Sequence, residues 1–206
     1  MADIKICYFD ARGLAEVSRL VLTLAGQKFE DIRWTREDWP KYKPEAPFGQ
    51  GPYLVYNGKK IGQSAAMACF LAREFGLYGK TNSEAAVVDQ VIHIYRDMMF
   101  AWQKVMYEQD EAKKAENAKK LLEEEGFPKY FGHFAKLLKD NGNNGHFIGD
   151  SITLADLYVY DSMFQIKKVA TYDAAAAYPE LKKLYDIVDS NPKIKAYVAQ
   201  RKDTPM

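Results

Sequence analysis

The hydrophobic pattern of this chain changes period near residue 80, which restricts it to folds that place short strands first and long helices after. Ile4, Ile6 and Tyr8 alternate, as one face of a strand requires. Leu14, Val17, Leu20, Val21 and Leu24 follow at helical spacing up to Gly26, a residue suited to a helix C-terminus. Phe29 to Trp34 reads as a second strand, and the order strand, helix, strand favours parallel pairing. Asn57-Gly58, between two β-prone runs, predicts a hairpin with a type I′ turn. Ser64 has the side-chain oxygen of an N-cap for a helix over 65–75, ahead of Gly76. Residues 1–79 therefore predict a βαβ-ββα domain with a mixed four-stranded sheet.

From Ser83 the pattern is helical throughout. Val87, Val91, Ile94, Met98, Ala101 and Val105 form a stripe spaced 4, 3, 4, 3 and 4 residues apart, the mark of a core-facing helix. A second helical region spans about 111–139, with Gly126 and Pro128 placed to bend or break it. Thr153-x-x-Asp156 resembles a capping box, with Asp in place of the usual Glu or Gln, and further helices are expected over 154–169, 179–190 and 192–200. The expected organisation is α/β plus all-α: a first domain over 1–79, a linker over 80–82, and an all-helical domain over 83–206.

Charge and cysteine content narrow the function classes. Twenty-nine basic and 28 acidic residues leave a net charge of +1, so no global field draws in nucleic acid or an anionic membrane surface. Cys7 and Cys69 are too few for a disulfide framework and lack the spacing of a zinc or CxxC motif, which fits a reducing, cytoplasmic location. No export-type apolar run opens the chain, and no stretch is long and apolar enough to span a membrane. His93, His133 and His146 do not have the spacing of a metal-ligand pair, and no GxSxG elbow or phosphate-binding loop is present.

The runs YFDARGLAEVSRL, FEDIRWTREDWPKYKPEAPFGQGP and IGQSAAMACFLAREFGLYGKT, followed by ITLADLYV and PKIKAYVAQRKDTP, occur in an order that covers nearly the whole chain. Together they resemble the cytosolic glutathione S-transferases, most closely the sigma class and related invertebrate enzymes. The resemblance implies a thioredoxin-like N-terminal domain that binds glutathione, a helical C-terminal domain, a homodimer, and glutathione as co-substrate with no metal required.

It also implies roles for particular residues. Tyr8 would donate its hydroxyl hydrogen to the glutathione sulfur and so favour the thiolate over a thiol whose ordinary pKa is about 8.5. The start of the helix after Gly13 would add positive potential. Trp39 and Lys43, in WPKYK, would hold the glycine carboxylate. Gln50-Gly51-Pro52 would present backbone groups to the cysteine moiety, with Pro52 cis. Gln63 and Ser64 would receive the γ-glutamyl carboxylate at a helix start. Asp97 would reach the γ-glutamyl amino group from the other subunit, and Phe48 would pack into the partner. Phe9, Leu14, Met98, Met99, Trp102 and Tyr107 would wall an apolar pocket for the electrophile, between the two domains.

Three departures from the family pattern carry expectations of their own. Gly51 replaces the usual Val, Ile or Leu, which implies a looser backbone contact to glutathione. Leu14 replaces an Arg often found in sigma enzymes, removing a polarising charge beside the tyrosine. Cys69 and Phe70 replace the commoner Arg and Tyr. The leading reading is a transferase that conjugates glutathione to hydrophobic electrophiles. A glutathione-dependent prostaglandin isomerase is one alternative; a non-catalytic relative of the S-crystallin or ligand-carrier kind is another.

Overall fold

A computed structural model describes residues 2–204. The first elements are β1 (Ile4–Phe9), α1 (Glu16–Leu24), β2 (Glu30–Trp34), α2 (Trp39–Tyr42), β3 (Tyr53–Tyr56), β4 (Lys59–Gly62) and α3 (Ser64–Glu74). Six longer or shorter helices follow: α4 (Asn82–Met106), α5 (Glu111–Leu122), α6 (Phe127–Asp140), α7 (Leu154–Ala170), α8 (Ala174–Ala177) and α9 (Pro179–Ser190). The last is α10 (Pro192–Gln200).

The chain forms two compact units, one made of the residues up to Tyr78 together with those from Ser190 on, the other spanning Gly79–Asp189. The segment carrying α10 packs within the first unit, against α1. Lys193 shows how: its ammonium donates to the carbonyl of Leu24 at the end of α1, over 2.8 Å. Pro205, the last residue of the C-terminal resemblance, lies outside the described residues.

In the first unit the four strands run in the order β2-β1-β3-β4, with β1 and β2 parallel and the other pairs antiparallel. This is the mixed sheet expected of a thioredoxin-like domain. The hairpin turn also forms as read, since Asn57 and Gly58 both have positive φ, +48° and +80°. Alternation along β1 sends Ile4 and Ile6 to one face, where register pairs Ile6 with the fully buried Leu54. Cys7 goes to the other face, into a cluster with Trp34, Ala46 and Tyr53 packed against Ile32, Trp39, Tyr42 and Val55. Burial pushes the Cys7 thiol up to about 11, so it remains protonated at neutral pH.

The second unit is helical. α4 starts from a capping box in which Thr81 accepts from the Glu84 amide at 3.2 Å while Glu84 accepts from the Thr81 amide at 3.2 Å. The interruption expected near Gly126 and Pro128 falls between α5 and α6, where a side chain at Gly126 would meet the Leu121 carbonyl at 2.2 Å. The capping box at Thr153 and Asp156 forms with every partner buried: the fully buried Asp156 accepts from the Thr153 amide and hydroxyl, each at 2.7 Å, and from the Phe147 amide at 3.0 Å. Among the described residues no helix is long and apolar enough to cross a membrane.

Candidate active site

Strand register brings most of the sequence candidates to one end of the sheet. Cys7 pairs with Tyr53, and Tyr53 in turn pairs with Gly62, so the end of β1, the start of β3 and the end of β4 lie side by side. Tyr8 follows Cys7, Gly51-Pro52 precedes Tyr53, and Gln63-Ser64 follows Gly62. The parallel strand β2 ends at that same edge, where Phe9 pairs with Trp34, and the chain then leads into α2 and Lys43. The Gly51-Pro52 peptide is cis, as expected.

Tyr8 is half-buried and closely matched to Gly13. A Cβ at Gly13 would lie only 2.9 Å from the Tyr8 hydroxyl oxygen, and Gly13 has φ +40°, so the phenol occupies space that any other residue there would fill. The hydroxyl therefore sits at the short 3₁₀ turn Gly13–Ala15 that leads into α1, a place of positive helix-end potential.

The second face of the sheet organises the aromatic candidates. Trp34, 1% exposed, lies with its ring centroid 5.1 Å from that of Trp39, 5.2 Å from Tyr42 and 5.8 Å from Phe9. Its edge also comes within 3.1 Å of where a Cβ on Gly51 would stand. The space that a larger residue would take at position 51 is thus occupied by the Trp34 ring. Gly51 is less a loosening of this segment than half of a complementary pair, and sequence reading missed its partner. Buried Trp34, whose Nε1 has no hydrogen-bond partner among the described residues, carries no chemical signal of its own in the sequence.

At the start of α3 the structure revises one detail. Ser64 is the first helical residue and not the N-cap; that position belongs to Gln63, whose φ of +66° is unusual for a residue with a side chain. The amide groups of the first helical turn have no intrahelical acceptors, and they open onto the same sheet end as Tyr8. Exposed Lys43 supplies a cation near Gly49, its Cε 3.6 Å from where a Gly49 Cβ would be. Phe48 is 78% exposed with φ +59°, resting an edge against Gly62. These features give the first unit a cation, helix-start amides, a cis Gly51-Pro52 peptide and a half-buried phenol.

The candidates on α4 behave differently from one another. Asp97 is exposed. Met98 is fully buried, and Trp102, 9% exposed, packs against Phe127 with ring centroids 6.1 Å apart. Their i, i+4 spacing on the inward stripe of the helix is the physical reason. Met99 is half-buried and Tyr107 exposed, while Phe100, not singled out from the sequence, is 52% exposed. In the first unit Leu14 is 41% exposed and Phe9 half-buried. Among the described residues no group of three His, Cys, Asp or Glu side chains is placed to hold a metal ion.

Known proteins resemble this chain over its whole length. Residues 4–73 match the family model of the glutathione S-transferase N-terminal domain, and residues 96–201 match that of the C-terminal domain. Glutathione S-transferase 1 of Ascaris suum is 39% identical, with 100% of both chains covered. Hematopoietic prostaglandin D synthase of Gallus gallus is 37% identical over 99% of each. The crystal structure of a monomeric glutathione S-transferase from the hookworm Necator americanus superposes with a TM-score of 0.86 at 36% identity, covering 99% of this chain and 100% of the other. Both domain models in order, full-length relatives and a shared fold lead to one conclusion: the chain belongs to the glutathione S-transferase family.

Proposed function

We propose that this enzyme, a glutathione transferase, conjugates glutathione to hydrophobic electrophiles and that Tyr8 stabilises the reacting thiolate. The observation that carries the reading is the placement of the Tyr8 hydroxyl against Gly13, at the sheet end where Gly51-Pro52 and the start of α3 converge. In this reading Lys43 and Trp39 hold the glycine carboxylate, Gln50 to Pro52 align the cysteine backbone, and Gln63 and Ser64 take the γ-glutamyl carboxylate. A phenol donor lowers the cost of placing negative charge on sulfur, and fixed geometry supplies the remainder of the rate. The thiol proton leaves to solvent. The thiolate then forms a carbon–sulfur bond while the electrophile's leaving group departs with its electron pair.

Phe9, Leu14, Met98, Met99, Trp102 and Tyr107 are proposed to meet the apolar part of the electrophile. A homodimer is proposed, with Phe48 packing into the second copy and Asp97 of the partner subunit reaching the γ-glutamyl amino group. One relative is named a prostaglandin D synthase, which supports a second reading as a glutathione-dependent isomerase; exposed Leu14, where sigma enzymes often have Arg, favours the transferase. Product analysis separates the two, because an isomerase returns glutathione unconsumed. Turnover of chlorodinitrobenzene, with chloride released and glutathione consumed one for one, tests the transferase. A folded protein that binds glutathione without consuming it would favour the carrier reading.

A further inference from the structure

The loop between β1 and α1 decides where the Tyr8 hydroxyl sits, because the phenol rests directly on Gly13. That loop is gripped from two directions. From within, the fully buried Arg19 donates through Nη1 to the carbonyls of Ala11 at 2.9 Å and Arg12 at 3.2 Å. The fully buried Glu16 pairs with Arg19 at 3.4 Å and with Arg12 at 3.7 Å. From the far end of the chain, Arg201 donates to Glu16 over 2.9 Å, across 185 residues of sequence. The Tyr197 hydroxyl, kept protonated by burial and by Glu16 itself, donates to the other Glu16 oxygen at 3.2 Å. The Arg12 amide donates to the Thr204 hydroxyl at 3.2 Å, and the Lys202 ammonium pairs with Asp10.

The contacts from Arg201 to Thr204 therefore flank Gly13 on both sides, at Asp10 and Arg12 before it and at Glu16 after it. A segment that merely covered the surface would not place a guanidinium, 8% exposed, on a carboxylate with no exposure at all. A buried carboxylate such as Glu16 is costly to leave unpaired, so its bonds to Arg201 and Tyr197 and its proximity to Arg12 and Arg19 tie the chain's end to this loop.

We propose that the segment Arg201–Thr204 is a positioning element for Tyr8: by clamping Asp10, Arg12 and Glu16 it fixes Gly13, and through Gly13 the phenol hydroxyl. The inference rests on the proposed role of Tyr8 and goes beyond it, assigning a task in the first unit to residues nearly the whole chain away in sequence. Arg201 and Thr204 touch no substrate in this account and act only through the loop.

The test uses full-length Arg201→Leu and Thr204→Val, each alone and each combined with Tyr8→Phe. Three quantities are read: kcat, the KM for glutathione, and the thiol pKa in the enzyme–glutathione complex from the thiolate's ultraviolet absorbance. The expected result is a kcat lowered about 3- to 30-fold and a raised thiol pKa, with KM changed by less than about twofold. In the Tyr8→Phe background neither substitution should have any further effect on kcat or on the thiol pKa. Losses that multiply with that of Tyr8→Phe, or a change confined to KM, would overturn the proposal. Thr204→Val decides the matter if Arg201→Leu does not fold. A separate readout is independent of activity: with 3-fluorotyrosine at position 8, the fluorine resonance should shift or broaden in Arg201→Leu and Thr204→Val. An unchanged resonance would sink the positioning role. If Tyr8→Phe left activity intact while the resonance moved, the catalytic reading would fail and the positioning one would stand.

Discussion

At the residue scale, the pairing of Gly51 with Trp34 shows what a linear reading can and cannot reach. The sequence identifies Gly51 as unusual for its place, but the ring that fills the gap comes from a different strand, and no local pattern announces it. The pairing makes a prediction. Gly51→Val brings new carbon atoms against a ring already 3.1 Å from where the Cβ would stand, so overpacking should cost about 1–3 kcal/mol and raise the KM for glutathione. Trp34→Leu in the same protein should recover part of that loss, giving a coupling in a double-mutant cycle of thermal stability and KM. Strict additivity of the two changes would show that the residues do not share the space. The two cysteines offer a second check. Cys7 is buried with its thiol pushed up to about 11, whereas Cys69 is half-buried, so a thiol reagent at pH 8 should label Cys69 in the native protein and Cys7 only after unfolding.

At the element scale, the parts with short-range signals were legible: the alternation of β1, the Asn57-Gly58 turn, the break before α6 and the Thr153–Asp156 cap. Thr81-x-x-Glu84 carries the same kind of signal within the stretch expected to be linker, and it caps α4. The chemistry of Ser64 suits an N-cap and so sets the helix start one residue too late, while the strained backbone of Gln63, the actual cap, leaves no trace in composition. Asp156 provides the test for this scale. Its carboxylate serves three donors in a fully buried setting, so Asp156→Ala should destabilise the protein by about 2–3 kcal/mol, read from denaturant midpoints, because those donors lose their acceptor. A second prediction concerns pH. Asp10 lies below its ordinary carboxyl value of 3.8, chiefly through the hydrogen bond from the Lys202 ammonium; burial, the next largest influence, opposes this, and Arg33 adds to the lowering. A lowered folded-state pKa stabilises above the unfolded value and is lost as pH falls through the folded one. Wild type should therefore melt above Asp10→Asn at neutral pH, and the gap should close below about pH 4.

At the scale of the whole molecule, the order of strands and helices was readable because hydrophobic period is a local property. The return of α10 to the first unit was not, since it depends on pairs such as Arg201 with Glu16 that are remote in sequence. The proposed dimer belongs to this scale as well. Phe48→Ala should weaken self-association in sedimentation experiments, and a stable, fully active monomer would remove Asp97 of the partner subunit from the site. The central claim is chemical, and the most direct test compares wild type with Tyr8→Phe for conjugation of glutathione to chlorodinitrobenzene at equal enzyme concentration, with glutathione affinity measured alongside. Phenylalanine keeps the ring packed on Gly13 and removes only the donor. The account predicts a loss of about 10- to 1000-fold in rate with affinity retained and a raised pKa for the bound thiol; an unchanged rate and thiol pKa would contradict it.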